Sequence, residues 1–171
     1  MLAASTRCVI EQVVPADMES LKRLYTDPAC RQYLGGPING VEAEHRVQAL
    51  LNVDSHTLAW AIRVMPQSEA MGLITLGKHH DGDDFEVSYL LLPDFQGRGY
   101  ATQAVRLTLN HAFDVLLLPR VVAETQSENL SSIRLLKRIG MILDRCVTRF
   151  DAEQHIYGIN ASAYLRPPSS S

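Results

Sequence analysis

A turn carrying two glycines, set between a strand-like run and a long amphipathic stretch, constrains this chain more than any other feature. Residues 87–92 are rich in Val, Tyr and Leu and stop at Pro93. Gln96-Gly97-Arg98-Gly99-Tyr100-Ala101 then opens a helical pattern. Glycines at a helix entrance let a ligand approach the backbone closely, because no Cβ stands in the way. The unpaired N–H groups of the first helical turn carry the positive end of the dipole, and a pyrophosphate fits such a place. Arg98 adds a charged donor. A Walker A loop is excluded, since no Gly-Lys-Ser/Thr follows. A dinucleotide fingerprint fails because its third glycine position is Thr102 and because four residues, 93–96, separate the strand from Gly97. A loop that only caps the helix is the bland alternative.

The rest of the chain reads as mixed α/β. A strand is expected over 8–14 and a helix over 18–25, with Asp17 as its N-cap. Asp27-Pro28 opens a helical turn that Leu34-Gly35-Gly36-Pro37 breaks. A helix follows over 41–52, with Val47, Leu50 and Leu51 as its apolar side. Strands are expected over 57–64, 71–76 and 85–92. The loops between them, 66–69 and 79–84, are short and favour antiparallel hairpins. Residues 99–116 form the strongest helical pattern. A strand at 120–125, a helix at 131–139 ended by Gly140, and a hairpin of 141–150 with 155–164 around Asp151-Ala152-Glu153 complete the order βααβββαβαββ.

The 171 residues suit one domain, taken as 1–166 with a frayed tail at 167–171. With 46 % apolar residues, 20 % charged residues and a net charge of −3, the chain can bury a core and lacks the basic stripe of a nucleic-acid binder. Cys8, Cys30 and Cys146 are sparse and odd in number, as in a reduced, cytoplasmic protein. No apolar run reaches the length of a membrane span, and residues 1–6 are too few for a signal-peptide core. His79-His80 lacks a third ligand at a recognisable spacing, so no metal is expected and a polar hairpin loop accounts for the pair.

The segment Gln96–Ala101 matches the Gln/Arg-x-x-Gly-x-Gly/Ala signature of the GNAT superfamily of N-acetyltransferases. The chain resembles its ribosomal-protein alanine acetyltransferase branch. Four further pieces in family order carry the likeness: Thr26-Asp27-Pro28 with Tyr33-Leu34-Gly35-Gly36; Trp60-Ala61-Ile62; Glu86-Val87-Ser88-Tyr89; and Glu128-Asn129-Leu130-Ser131-Ser132-Ile133-Arg134 with Gly140.

The resemblance implies a single-domain fold with a mostly antiparallel sheet of about six or seven strands and about four helices. It implies acetyl-CoA as acyl donor. It places the pyrophosphate on Gln96, Gly97, Arg98, Gly99, Tyr100, Ala101 and Thr102. It also implies a central strand that splays from its neighbour near a bulge, with the pantetheine arm held by backbone groups of Leu90, Leu91 and Leu92. Asn129 is expected to hold the cofactor, and Ser132 to donate to the departing thiolate or else to cap its helix. Many members place a tyrosine four residues after Ser132; here Leu136 stands there.

An amine must lose a proton to attack, and Glu86 is the candidate base. It shares a strand face with Ser88, Leu90 and Leu92; the alternative is a solvated position near the strand start. Tyr33, Trp60 and Ser88 are candidates for the acceptor pocket. The leading expectation is direct acetyl transfer to a small amine or a protein N-terminus, with dimerisation through the closing strands. A coenzyme A sensor of the same fold is the alternative, and a nicotinamide oxidoreductase a distant third.

Overall fold

The computed structural model describes residues 8–52, 56–65 and 69–164. Most of the loop expected at 66–69, both chain ends and the proposed tail lie outside the described residues. The observed elements are strand β1 (Cys8–Gln12), helices α1 (Met18–Thr26) and α2 (Gly40–Leu50), and strands β2 (Leu58–Val64), β3 (Gly72–Lys78) and β4 (Phe85–Leu91). They continue with helix α3 (Tyr100–Asp114), strand β5 (Arg120–Gln126), helix α4 (Leu130–Arg138), and strands β6 (Ile142–Arg149) and β7 (Ala152–Asn160). Apart from short 3-10 turns, this is the order read from the sequence.

The seven strands form one sheet in the order β1-β2-β3-β4-β5-β7-β6. Every neighbouring pair is antiparallel except β4 and β5. Strand alternation sends side chains to two cores. Val87 and Leu91 of β4 join Ile10, Ile74 and the buried faces of α3 and α4. Leu92 and Leu73 instead join Leu21 and Leu24 of α1 and Val47 of α2. The sheet is therefore covered by α1 and α2 on one face and by α3 and α4 on the other.

Local chemistry explains most element ends. Asn39 Oδ1 accepts from the Glu42 N–H at 2.9 Å and starts α2. Gly140, at φ 96°, ends α4; its N–H bonds to Lys137 O and that of Met141 to Leu136 O, the paired bonds of a Schellman motif. The closing hairpin turns more tightly than expected. Arg149 pairs with Ala152, leaving only Phe150 and Asp151 in the turn, both at positive φ. That is the geometry of a type I′ turn, whose twist matches the flanking strands.

Asp17 precedes α1 as expected but does not cap it. Its carboxylate turns back to the Val14 N–H at 3.0 Å and to Arg63 Nη2 at 2.9 Å. Arg63 is itself buried in β2, and a buried cation requires its counter-ion more than a helix end requires its cap.

Candidate active site

Strands β4 and β5 pair only through Phe85 with Val121 and Glu86 with Val122. Beyond Glu86 the two strands part, and a cavity of about 1020 Å3 occupies the gap. The β3–β4 register runs unbroken from Lys78↔Phe85 to Gly72↔Leu91, so the splay arises without the bulge expected in β4. Among the described residues the sheet's register shifts instead between Leu143 and Arg145 of β6.

The Leu92 N–H bonds to Met71 O at 2.9 Å. Backbone direction alternates along an antiparallel pair, so Leu90 also faces β3, while the N–H and C=O of Tyr89 and Leu91 face the gap. This corrects the expectation built on Leu90, Leu91 and Leu92 together: of the three, only Leu91 turns its backbone toward the cavity. The Leu91 carbonyl is already occupied, accepting from Gln96 Nε2 at 2.9 Å and Cys30 Sγ at 3.3 Å. Gln96 thereby ties the glycine turn to the splayed strand.

Gly97 and Gly99 lie at φ 71° and 85°, in the left-handed region, and Gly99 is the N-cap of α3 with no side chain capping it. A Cβ built on either would meet nothing within 4 Å, so the turn is open. The glycines are thus required first by backbone conformation, and the open space beside them leaves room for a ligand. Tyr100, Ala101 and Thr102 line the cavity in the first helical turn. Arg98 is exposed and is not part of the lining.

Glu86 stands where β5 departs. Its carboxylate accepts from Ser88 Oγ at 3.3 Å, and the Glu124 backbone N–H favours its charged form. Burial pushes its pKa up, and the neighbouring Glu124 charge adds to this; His79, Ser88 and the Glu124 N–H oppose it. The Glu124 carboxylate is held in turn by His79 Nε2 at 2.7 Å, and Arg149 Nε makes an ion-pair contact with it at 3.0 Å. His79 Nδ1 accepts from the Asp81 N–H at 3.2 Å, which leaves Nε2–H to donate to Glu124. His79 is therefore a buried partner in this network and not a solvated loop residue. Ligand atoms of His79, His80 and Glu124 lie within 4.8 Å of one another, and the Arg149 guanidinium, which also meets His80 Nε2, brings positive charge to that cluster.

On the opposite face, Asn129 Oδ1 accepts from the Ser132 N–H at 3.2 Å and from Ser131 Oγ at 3.0 Å, so Asn129 caps α4 and neither serine does. This leaves the Ser132 hydroxyl for Tyr89, whose Oη lies 2.6 Å from Ser132 Oγ. Burial pushes the Tyr89 pKa up to about 12. Leu136, where a tyrosine is common, is fully buried. Tyr33 and Ser88 line the cavity. Trp60 does not. It is buried on the α3 side with its ring edge-on to His111 at 5.5 Å, because β2 alternation turns it to that core.

Residues 7–142 match the family described as the acetyltransferase (GNAT) domain. The chain belongs to this family. As a GNAT acetyltransferase it is an acyltransferase with acetyl-CoA as its donor. An uncharacterized N-acetyltransferase of Bacillus subtilis, YnaD, is 27 % identical over 143 residues, 82 % of each chain. Among solved structures, the ribosomal L7/L12 α-N-protein acetyltransferase RimL in complex with coenzyme A shares the fold at a TM-score of 0.80. Its identity is 19 %, over 95 % of this chain and 98 % of that one. The spermidine N-acetyltransferase of Vibrio cholerae with CoA and spermine shares it at 0.79 and 15 %, over 94 % and 99 %. The donor-facing features of the cavity suit a coenzyme: an open glycine turn, free helical N–H groups and a strand edge facing the gap.

Proposed function

We propose that this GNAT enzyme acetylates a primary amine by direct attack within a ternary complex, with Glu86 as base. The observation that carries this reading is the position of Glu86: a carboxylate of raised pKa in the same cavity that reaches the α3 turn. A base works best with its pKa drawn toward the working pH. The N–H groups of residues 100–102 would hold the pyrophosphate, with Asn129 and Arg98 as further candidates. The Tyr89 and Leu91 N–H groups would pair with the pantetheine arm or hold the developing oxyanion, where fixed donors lower the barrier most.

Magnitudes decide the part played by Tyr89 and Ser132. An ordinary thiol has a pKa of ~8.5, whereas the Tyr89 hydroxyl lies at about 12. Full proton transfer from Tyr89 to a thiolate is therefore uphill by roughly 5 kcal/mol, at ~1.4 kcal/mol per unit. The pair is better suited to hydrogen-bond the leaving sulfur, whose proton then comes from water. Leu136 and Ser88 are the departures that keep a coenzyme A sensor as the alternative; a hydroxyl pair reached from β4 would take the place of the tyrosine that Leu136 replaces.

RimL and the Vibrio cholerae enzyme are named for a protein N-terminus and for spermidine, and the acceptor proposed here falls in that range. Thiol release from acetyl-CoA across peptides and small amines tests the reading. Amine-dependent release supports it, and binding of CoA without release contradicts it.

A further inference from the structure

One end of the cavity holds a buried arginine, Arg31, that pairs with no carboxylate among the described residues. Arg31, in the turns after α1, is 8 % exposed and lines the cavity with Tyr25, Tyr33 and Arg46. Its Nε donates to Gly36 O at 2.6 Å and its Nη2 to Leu34 O at 2.5 Å. Both acceptors are neutral carbonyls. Among the described residues no carboxylate forms an ion pair with Arg31, and its Nη1 has no protein partner. Arg46 approaches from α2. Its partner Glu42, 2.7 Å away, is one helical turn earlier and does not line the cavity.

The other buried arginine among the described residues makes the contrast. Arg63, equally buried at 8 %, pairs with Asp17 at 2.9 Å and Glu11 at 3.0 Å. A buried guanidinium without a counter-ion is unfavourable, and Arg63 shows that this chain supplies carboxylates where a buried arginine is purely structural. Burial and the Arg46 charge depress the Arg31 pKa, and Tyr25 and the Glu42 charge oppose them without restoring it. The acids lining the cavity are Glu86 and Glu124, and neither forms an ion pair with Arg31 or Arg46.

We propose that Arg31 and Arg46 bind a carboxylate of the acceptor, so that the substrate is an amine bearing a negative charge near its nucleophilic nitrogen and not a polycation. This rests on the amine-acetylation reading above. A planar guanidinium matches a carboxylate in two parallel hydrogen bonds, and Arg31 lines the same cavity as Glu86, so a carboxylate held by it would fix which end of the substrate faces the base. The carboxylate can be the α-carboxylate of a free amino acid or the side chain of an acidic residue near a peptide N-terminus.

The test is steady-state thiol release from acetyl-CoA with matched acceptors: α-amino acids against their amides, peptide amides differing by Glu for Gln or Asp for Asn at the second and third positions, and spermidine. The expected result is a preference of about tenfold or more in kcat/KM for the acidic member of one matched pair, mostly through KM. The amino-acid and peptide arms tell the two sources of the carboxylate apart. Arg46→Met, on an exposed helix face, and Arg31→Met should each bring the acid-to-amide ratio to within about twofold of unity. Calorimetric CoA affinity shows that each variant is folded. A ratio near one in the unaltered protein, faster turnover of spermidine, or an unchanged ratio in Arg46→Met overturns the proposal. CoA binding with no release from any amine removes the transferase reading and this proposal together, and is recognised by its indifference to the acceptor.

Discussion

Tyr89 Oη and Ser132 Oγ meet at 2.6 Å across the cavity, joining the splayed strand β4 to the first turn of α4. They stand forty-three positions apart in the chain. Asn129 has taken the capping role that would have occupied Ser132, and the Tyr89 ring packs against the α3/α4 core.

Removing this pair should slow turnover without loosening the donor. Tyr89→Phe and Ser132→Ala are each expected to lower kcat by roughly tenfold, the loss of one hydrogen bond to a charge, with the KM for acetyl-CoA nearly unchanged. The double variant should lose little more than either single one, since the two hydroxyls act as a unit. Additive losses would mean that they act separately.

Glu86→Gln should reduce kcat by roughly a hundredfold or more. The pH profile gives the sharper reading. A base works when ionised, so activity must rise with pH through the Glu86 pKa. Because burial raises that pKa, the acid limb should lie above ~4.3, the ordinary glutamate value, and should vanish in Glu86→Gln. The linkage has the opposite sign for stability. A carboxylate with a raised folded-state pKa contributes stability that is fully present below its unfolded pKa and is lost as pH rises through the folded one. At neutral pH Glu86→Gln should therefore melt no lower than the parent, as differential scanning calorimetry would show.

Gly99→Val should weaken CoA binding by at least about tenfold, or ~1.4 kcal/mol, measured by isothermal titration calorimetry. Gly99 sits at φ 85°, where a β-branched residue is strained, so the turn itself must change. Unaltered affinity would place the pyrophosphate elsewhere.

Asp17→Ala should destabilise the fold by about 3 kcal/mol, because it leaves buried Arg63 with Glu11 as its remaining described carboxylate. Chemical denaturation checks this, and kcat should be unaffected in the folded fraction, since the pair lies outside the cavity lining.

The pattern of the chain was most legible where local chemistry sets it. The two hairpins of β2–β4 followed from short polar loops, α3 from its apolar spacing, and the α4 end from Gly140. The splay was expected only through family resemblance, because the extent of β4–β5 pairing depends on residues some 36 positions apart. Side-chain roles fixed by distant partners were the least legible. His79 sits in a run of His, Asp and Gly that reads as solvated, yet Glu124, 45 residues on, buries it. Asp17 has the sequence of a helix cap, and Arg63, 46 residues on, draws it away. Tyr89 reads as a core residue of a strand, and nothing local announces Ser132.

The central claim is that the cavity between β4 and β5 transfers an acetyl group to an amine with Glu86 as base. The most direct measurement is amine-dependent CoA release from acetyl-CoA, paired with mass spectrometry of the acceptor, for the unaltered protein and Glu86→Gln. The account predicts one acetylated amine per CoA released, with both signals falling together in Glu86→Gln while CoA still binds. CoA release that ignores the amine, or equal amine acetylation by Glu86→Gln at every pH, would contradict it.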